Sequence, residues 1–132
     1  KTSGATGIRS RIRVNQTQGT YEVGFHFDAK EPTADMRRFL VRSTNRGEAG
    51  SRRDGRWAMD EDFDLKPAMA VREWYEIAIV SDGTETVFFF GPPGSPQGLL
   101  TLPGGLDPKA GFGLWANVDT TFADIQVKDA KP

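Results

Sequence analysis

The 132-residue chain contains no cysteine and only one histidine, His26. Disulfides, thiolate metal sites and cysteine nucleophiles are therefore excluded, and His26 has neither a second histidine nor a cysteine with which to build a zinc site. No apolar run is longer than about four residues, far short of the ~20 that a membrane-spanning helix needs. The Gly-Pro-Pro-Gly stretch at 91–94 lacks the N–H groups of a phosphate-binding loop. We accordingly expect no cofactor and no membrane span.

Charge is balanced over the whole chain but not along it. The net charge is −1, yet residues 1–56 carry 12 of the 17 basic side chains and only 6 of the 18 acidic ones. A basic half suggests nucleic-acid binding, but no aromatic motif is interleaved with these arginines. We therefore expect no nucleic-acid partner, and we expect the two halves to face each other within one fold.

Turn formers and aromatic residues dominate the composition. The 15 glycines and 8 prolines exceed the usual share, while 9 phenylalanines and 3 tryptophans supply large apolar side chains. These numbers favour a small, turn-rich, aromatic core over a helix bundle.

Alternation of apolar and polar residues predicts strands. Residues 8–14 and 21–28 both alternate with a period of two, and they would pair as a hairpin if the intervening turn is tight. For 29–43 a strand from about 37 is favoured over a short helix, and the polar, glycine-rich stretch 44–56 is predicted to be a long loop. Further strands are predicted from Trp57 to about 65 and over 74–80, 84–90, 99–102, 111–117 and 122–128, with a tight turn at Asp82-Gly83.

About nine strands and no repeat predict an all-β fold, with two antiparallel sheets packed face to face as a jelly-roll sandwich. We assign residues 8–129 to this single domain and residues 1–7 to a flexible N-terminal end.

The second half of the chain carries a recognisable pattern. A Trp-led strand from Trp74 is followed by the Asp82-Gly83 turn, the Gly-Phe-Gly-Leu-Trp strand from Gly111 and the Phe-Ala-Asp-Ile-Gln-Val strand from Phe122. This pattern resembles the C-terminal half of concanavalin A-like lectin/glucanase domains, which include laminin-G-like modules. The resemblance implies a β-sandwich that binds a carbohydrate or polysaccharide and is secreted or displayed at the cell surface. It also implies one or two strands before Ile8, so the domain could lack its first strand and receive one from a partner chain.

Polar faces of the first strands suggest a binding surface. If neighbouring strands pair, basic and acidic faces alternate across one sheet, either as a solvated ladder of ion pairs or as a sugar-binding groove. Trp115 is predicted to be exposed on the sheet face opposite Phe112, as a platform on which a sugar ring could stack. The candidate ligand-binding residues are Arg11, Arg13, His26, Arg38, Arg42 and Trp115.

The run Asp60-x-Asp62-x-Asp64 leaves two alternatives open. Carboxylates two residues apart project from one strand face, so they are candidate catalytic residues of a glycoside hydrolase or lyase. They could instead bind calcium, although Leu65 occupies the position where a calcium loop needs glycine. A non-catalytic carbohydrate-binding or adhesion module is the favoured function. A structural or assembly subunit completed by a partner strand is a further alternative.

Overall fold

The structure is a computed structural model that describes residues 6–15, 21–30, 35–66, 68–106 and 111–128. Ten strands and no helix are found in this part of the chain. The strands are β1 (Thr6–Val14), β2 (Glu22–Lys30), β3 (Asp35–Arg42), β4 (Arg46–Arg53), β5 (Arg56–Asp64), β6 (Tyr75–Ser81), β7 (Glu85–Gly91), β8 (Gln97–Pro103), β9 (Phe112–Ala116) and β10 (Thr120–Lys128).

The strands form two antiparallel five-stranded sheets, which confirms the predicted all-β sandwich. Sheet A has the order β10-β1-β6-β7-β8, and sheet B has the order β5-β4-β3-β2-β9. β1 and β2 lie in different sheets, so the hairpin considered for them is wrong. The chain crosses from one layer to the other between these strands instead.

The core is built from the alternate residues that the sequence predicts. Phe25, Phe39 and Phe88 have no exposed surface. The Phe39 and Phe88 rings stack across the two sheets with their centroids 4.6 Å apart, and Tyr75 stacks on Phe90 at 5.1 Å. A few large rings therefore fill the space between two small sheets, which explains how a chain with modest aliphatic content forms a dry interior.

The predicted loop at 44–56 is wrong, because most of this segment forms β4. Gly47, Ala49 and Ser51 are buried on its inner side. A Cβ atom on Gly47 would lie 2.3 Å from the ring of Phe63. These small residues are thus strand positions, and Phe63 of the neighbouring strand covers Gly47.

Other elements agree with the sequence analysis. β3 forms a strand rather than a helix, and β6 and β7 meet at the Asp82-Gly83 turn. Gly83 has a φ of 96°, and the Asp82 carboxylate accepts hydrogen bonds from the N–H groups of Thr84 and Glu85. These bonds lower the pKa of Asp82, because they stabilise its charged form.

The chain ends are only partly described. β1 begins at Thr6, and the remainder of the predicted flexible end, residues 1–5, lies outside the described residues. Residue 129 and most of the turn between β1 and β2 lie outside them as well. β8, β10, β5 and β9 are the outermost strands of the two sheets within the described ranges. A strand supplied by a partner stays a prediction.

Candidate functional site

The outer face of sheet B, which points away from the core, carries an unusual density of charged and aromatic side chains. Three rows of directly paired residues cross it, because antiparallel register places opposed residues on the same side of a sheet. The rows are His26–Arg38–Gly50, Gly24–Leu40–Glu48–Asp62 and Glu22–Arg42–Arg46–Asp64, with Gly113, Trp115 and Asn117 alongside them at the β9 end.

Glu48 is the centre of the charged network on this face. Its side chain is only 2% exposed, and one carboxylate oxygen accepts two hydrogen bonds from Arg38, at 3.2 and 2.9 Å. The other oxygen lies 3.0 Å from Arg42, which also pairs with Glu22. The hydrogen bond to Glu22 and the negative charges of Glu48 and Glu22 raise the pKa of Arg42. A buried carboxylate thus holds two guanidinium groups in fixed positions.

An aromatic cluster lies next to this network. The imidazole of His26 stacks on Trp115 with 5.3 Å between ring centroids, and it lies 5.6 Å from Trp57 on its other side. The guanidinium carbon of Arg38 is 4.1 Å from the Trp57 ring centroid. Both tryptophans remain 38% exposed, so each offers part of its ring to solvent. The surface therefore combines flat apolar rings with fixed hydrogen-bonding groups.

Gly50 makes room for this arrangement. A Cβ atom at this position would lie 3.0 Å from a carboxylate oxygen of Glu48 and 3.3 Å from Nε of Arg38. The missing side chain therefore allows the guanidinium to lie across β4 and reach its partner.

His26 supplies a polar atom without a partner. Its Nε2 is buried and forms no hydrogen bond within the described residues. Burial, and to a lesser extent the positive charge of Arg38, lower the pKa of His26 below its usual 6.5. The imidazole is therefore neutral at neutral pH and can offer one nitrogen as an acceptor.

The lowered pKa leads to a prediction for stability. Below pH 6.5 the unfolded chain takes up a proton at His26 before the folded chain does, so the free energy of unfolding should fall as the pH is lowered toward the folded-state pKa. We expect the His26→Phe variant, which keeps an aromatic ring and cannot titrate, to lose less stability than the native protein between about pH 7.5 and 5.5. Urea unfolding at both pH values measures the difference. Identical losses in the two proteins would contradict the assignment.

The structure brings only some of the predicted ligand-binding residues together. His26, Arg38, Arg42 and Trp115 share the outer face of sheet B, as the alternation implies. Arg11 and Arg13 lie on β1 in sheet A, so the idea that all the charged strands form one sheet is wrong.

The three aspartates do not share one face. β5 has a bulge opposite Ala49 and Gly50, and Asp60 is the residue left without a cross-strand partner. Asp60 accepts a hydrogen bond from the Ser51 hydroxyl, whereas Asp62 and Asp64 both pair with Arg46. The bulge also places Met59 on the outer face, opposite Gly50.

These contacts do not form a metal centre. In the part of the chain that the structure describes, no group of three or more histidine and carboxylate side chains is arranged to hold an ion. The same ranges include no helix able to cross a membrane.

Two members of the site, Glu48 and Trp57, are not among the ligand-binding residues predicted from the sequence. Glu48 was assigned to a loop, although charged residues at 46, 48 and 52 alternate with the small residues at 47, 49 and 51. That period-two pattern was the available signal for a strand. The sequence offers Trp57 as one of several aromatic residues able to stack on a sugar ring, but its proximity to His26 depends on sheet order.

Comparison with known proteins agrees with this architecture. No protein-family model and no curated protein matches the chain. Among solved structures, the carbohydrate binding module CBM66 from Bacillus subtilis superposes with a TM-score of 0.74 at 12% identity, covering 96% of this chain and 76% of that one. Sheep galectin-11, solved with glycerol, superposes with a TM-score of 0.71 at 12% identity. The match covers 96% of this chain and 91% of the galectin. A variant of human galectin-16 superposes with a TM-score of 0.63 at 15% identity. The match covers 98% of this chain and 91% of the galectin. These likenesses show a shared two-sheet β-sandwich fold.

Proposed function

We propose that the protein is a non-catalytic carbohydrate-binding module that binds a saccharide on the outer face of sheet B. In this proposal the domain is a concanavalin A-like jelly roll of an exported protein, and its partner is a poly- or oligosaccharide. The observation that carries it is the stacking of Trp115 and Trp57, both partly exposed, around His26 beside the Glu48–Arg38 pair.

The chemistry of this cluster suits a sugar. One side of a pyranose ring is largely C–H and packs against an indole, while its hydroxyl groups need donors and acceptors in fixed directions. Arg38 and Arg42 are held by Glu48 before any ligand arrives, so binding orders few side chains. The name of the CBM66 neighbour, a carbohydrate binding module, supports the same class of ligand.

The charge of the network favours an uncharged sugar at this face. Arg38, Arg42 and Arg46 are each paired with carboxylates of the same face, so no cation among these three is left over for an anionic ligand. Catalysis has less support, since Asp62 and Asp64 both engage Arg46 and Asp60 lies apart in the bulge.

Replacement of Trp115 tests the proposal. We expect Trp115→Ala to weaken saccharide binding about tenfold, the effect of losing a stacking contact of about 1.4 kcal/mol. A glycan array identifies bound saccharides, and calorimetry with the strongest binder measures the affinity.

Val80→Ala is the matched control, because Val80 is an exposed apolar residue on the other sheet, 42% exposed. An array on which the native protein binds nothing would refute the proposal. A Trp115→Ala variant that binds as tightly as Val80→Ala would refute this face as the binding surface.

A further inference from the structure

The outer face of sheet A carries a second cleft, remote from the aromatic cluster of sheet B. One depression of about 200 Å³ is lined by Trp74, Pro93, Arg11, Ala123 and Asp124. A neighbouring depression of about 160 Å³ includes Arg11 and Asp124 again, together with Arg9, Ser10, Glu76, Gly94 and Gln126. We call the two depressions together the sheet-A trough.

An exposed ion pair, Arg11 with Asp124, lines both depressions. Arg11 and Asp124 lie 3.5 Å apart, and their side chains are 49% and 64% exposed. Such a pair contributes little to stability, since both groups are well solvated when apart. The two side chains can therefore move aside for a ligand, which would make the trough continuous.

The floor of the trough is more firmly built. Glu76 is 8% exposed, and one carboxylate oxygen accepts a hydrogen bond of 2.8 Å from the N–H of Gly94. Its other oxygen lies 3.7 Å from the guanidinium of Arg9, and this distance is too long for a hydrogen bond. This oxygen is available to a ligand hydroxyl. Trp74 and Pro93 supply apolar surface at the other end.

Positive charge exceeds negative charge along this face. Arg9, Arg11 and Arg13 alternate along β1, whereas Glu76 and Asp124 are the carboxylates paired with them. Arg13 forms no ion pair with a described carboxylate. It lies 4.8 Å from the Trp74 ring centroid and donates to Asn15 at 2.7 Å. One guanidinium beside the trough is thus left without a counter-charge.

We propose that the sheet-A trough is a second saccharide site, specific for an acidic sugar that carries a carboxylate or sulfate. The ring stacks on Trp74, its hydroxyls reach Glu76, and its anionic group is bound by Arg11 and Arg13 together. This site goes beyond the function proposed for sheet B and does not depend on it. Because the two sheets face opposite ways, a protein with both sites could link two glycan chains, with a gain in avidity.

A glycan array with uronate-containing, sulfated and neutral oligosaccharides tests the proposal, with tetragalacturonate titrated as a defined probe. We expect the native protein to bind acidic saccharides, and Trp74→Ala and Arg11→Ala each to weaken that binding about tenfold or more. Arg11 is half exposed, so its variant should fold even if Trp74→Ala does not. We expect Trp115→Ala to bind acidic saccharides as tightly as the native protein. This result would distinguish the sheet-A site from the site proposed on sheet B.

Arg56→Ala is the matched control, since it removes one exposed cation from the far edge of sheet B. Failure of the native protein to bind any acidic saccharide would overturn the inference. If Arg56→Ala weakened the binding of acidic saccharides as much as Arg11→Ala, the attraction would be unspecific and the inference would be wrong. It would also be wrong if Trp115→Ala were the one variant that lost this binding.

Discussion

Glu48→Gln should destabilise the protein by about 3 kcal/mol, as expected when one partner of a buried ion pair is removed. The carboxylate is 2% exposed and faces Arg38 and Arg42, whose side chains are 16% and 33% exposed. The amide has nearly the same size but no charge, so Arg42 would keep only Glu22 and the largely buried Arg38 would lose its carboxylate partner. We expect a fall in Tm of roughly 10 °C, measured by calorimetry together with urea unfolding.

Glu61→Gln is the matched control, because Glu61 is an exposed glutamate on the neighbouring strand β5. This variant should change the free energy of unfolding by less than about 0.5 kcal/mol. If Glu48→Gln behaved like the control, Glu48 would not be the charge that holds the site together. We also expect Glu48→Gln to weaken saccharide binding on sheet B, because Arg38 and Arg42 would lose their fixed positions.

Gly24→Ala should destabilise the protein by about 3 kcal/mol through a clash between strands. A Cβ atom on Gly24 would lie 1.9 Å from the carbonyl oxygen of Phe39 and 2.9 Å from Cα of Leu40. Both are backbone atoms, so no side-chain rotation can relieve the contact. β2 and β3 would have to separate, at the centre of the face that carries His26 and Trp115. Urea unfolding measures the loss of stability.

Gly113→Ala gives the comparison for this effect. Gly113 lies in β9 of the same sheet, and its added Cβ would meet only His26 Cβ, at an ordinary 3.8 Å. Both substitutions reduce the entropy of the unfolded chain equally, so their difference isolates the clash. We expect Gly113→Ala to be close to neutral. Equal stabilities for the two variants would show that the strands adjust at no cost.

The role of Gly24 could not have been read from the sequence, and the reason is geometric. A glycine in an alternating strand leaves two readings open, a tolerated small residue or a close approach of another backbone. Only the register of β2 against β3 shows that Phe39 approaches this position. The same holds for Gly47 and Gly50, whose space is taken by Phe63 and Arg38 from other strands.

Local alternation determined much of this protein by itself. It predicted the all-β class, most of the strands, the buried side of several of them and the exposure of Trp115, because a period of two in hydrophobicity directly reflects a pleated backbone at a solvent boundary. Apart from the β6–β7 pair at the Asp82-Gly83 turn, the tertiary structure decided which strands are neighbours. It placed Arg11 and Arg13 on one sheet and His26, Arg38 and Arg42 on the other, and it brought Glu48 and Trp57 to them. Strand order depends on how distant segments pack, and a strand carries the same alternation whichever partner it pairs with.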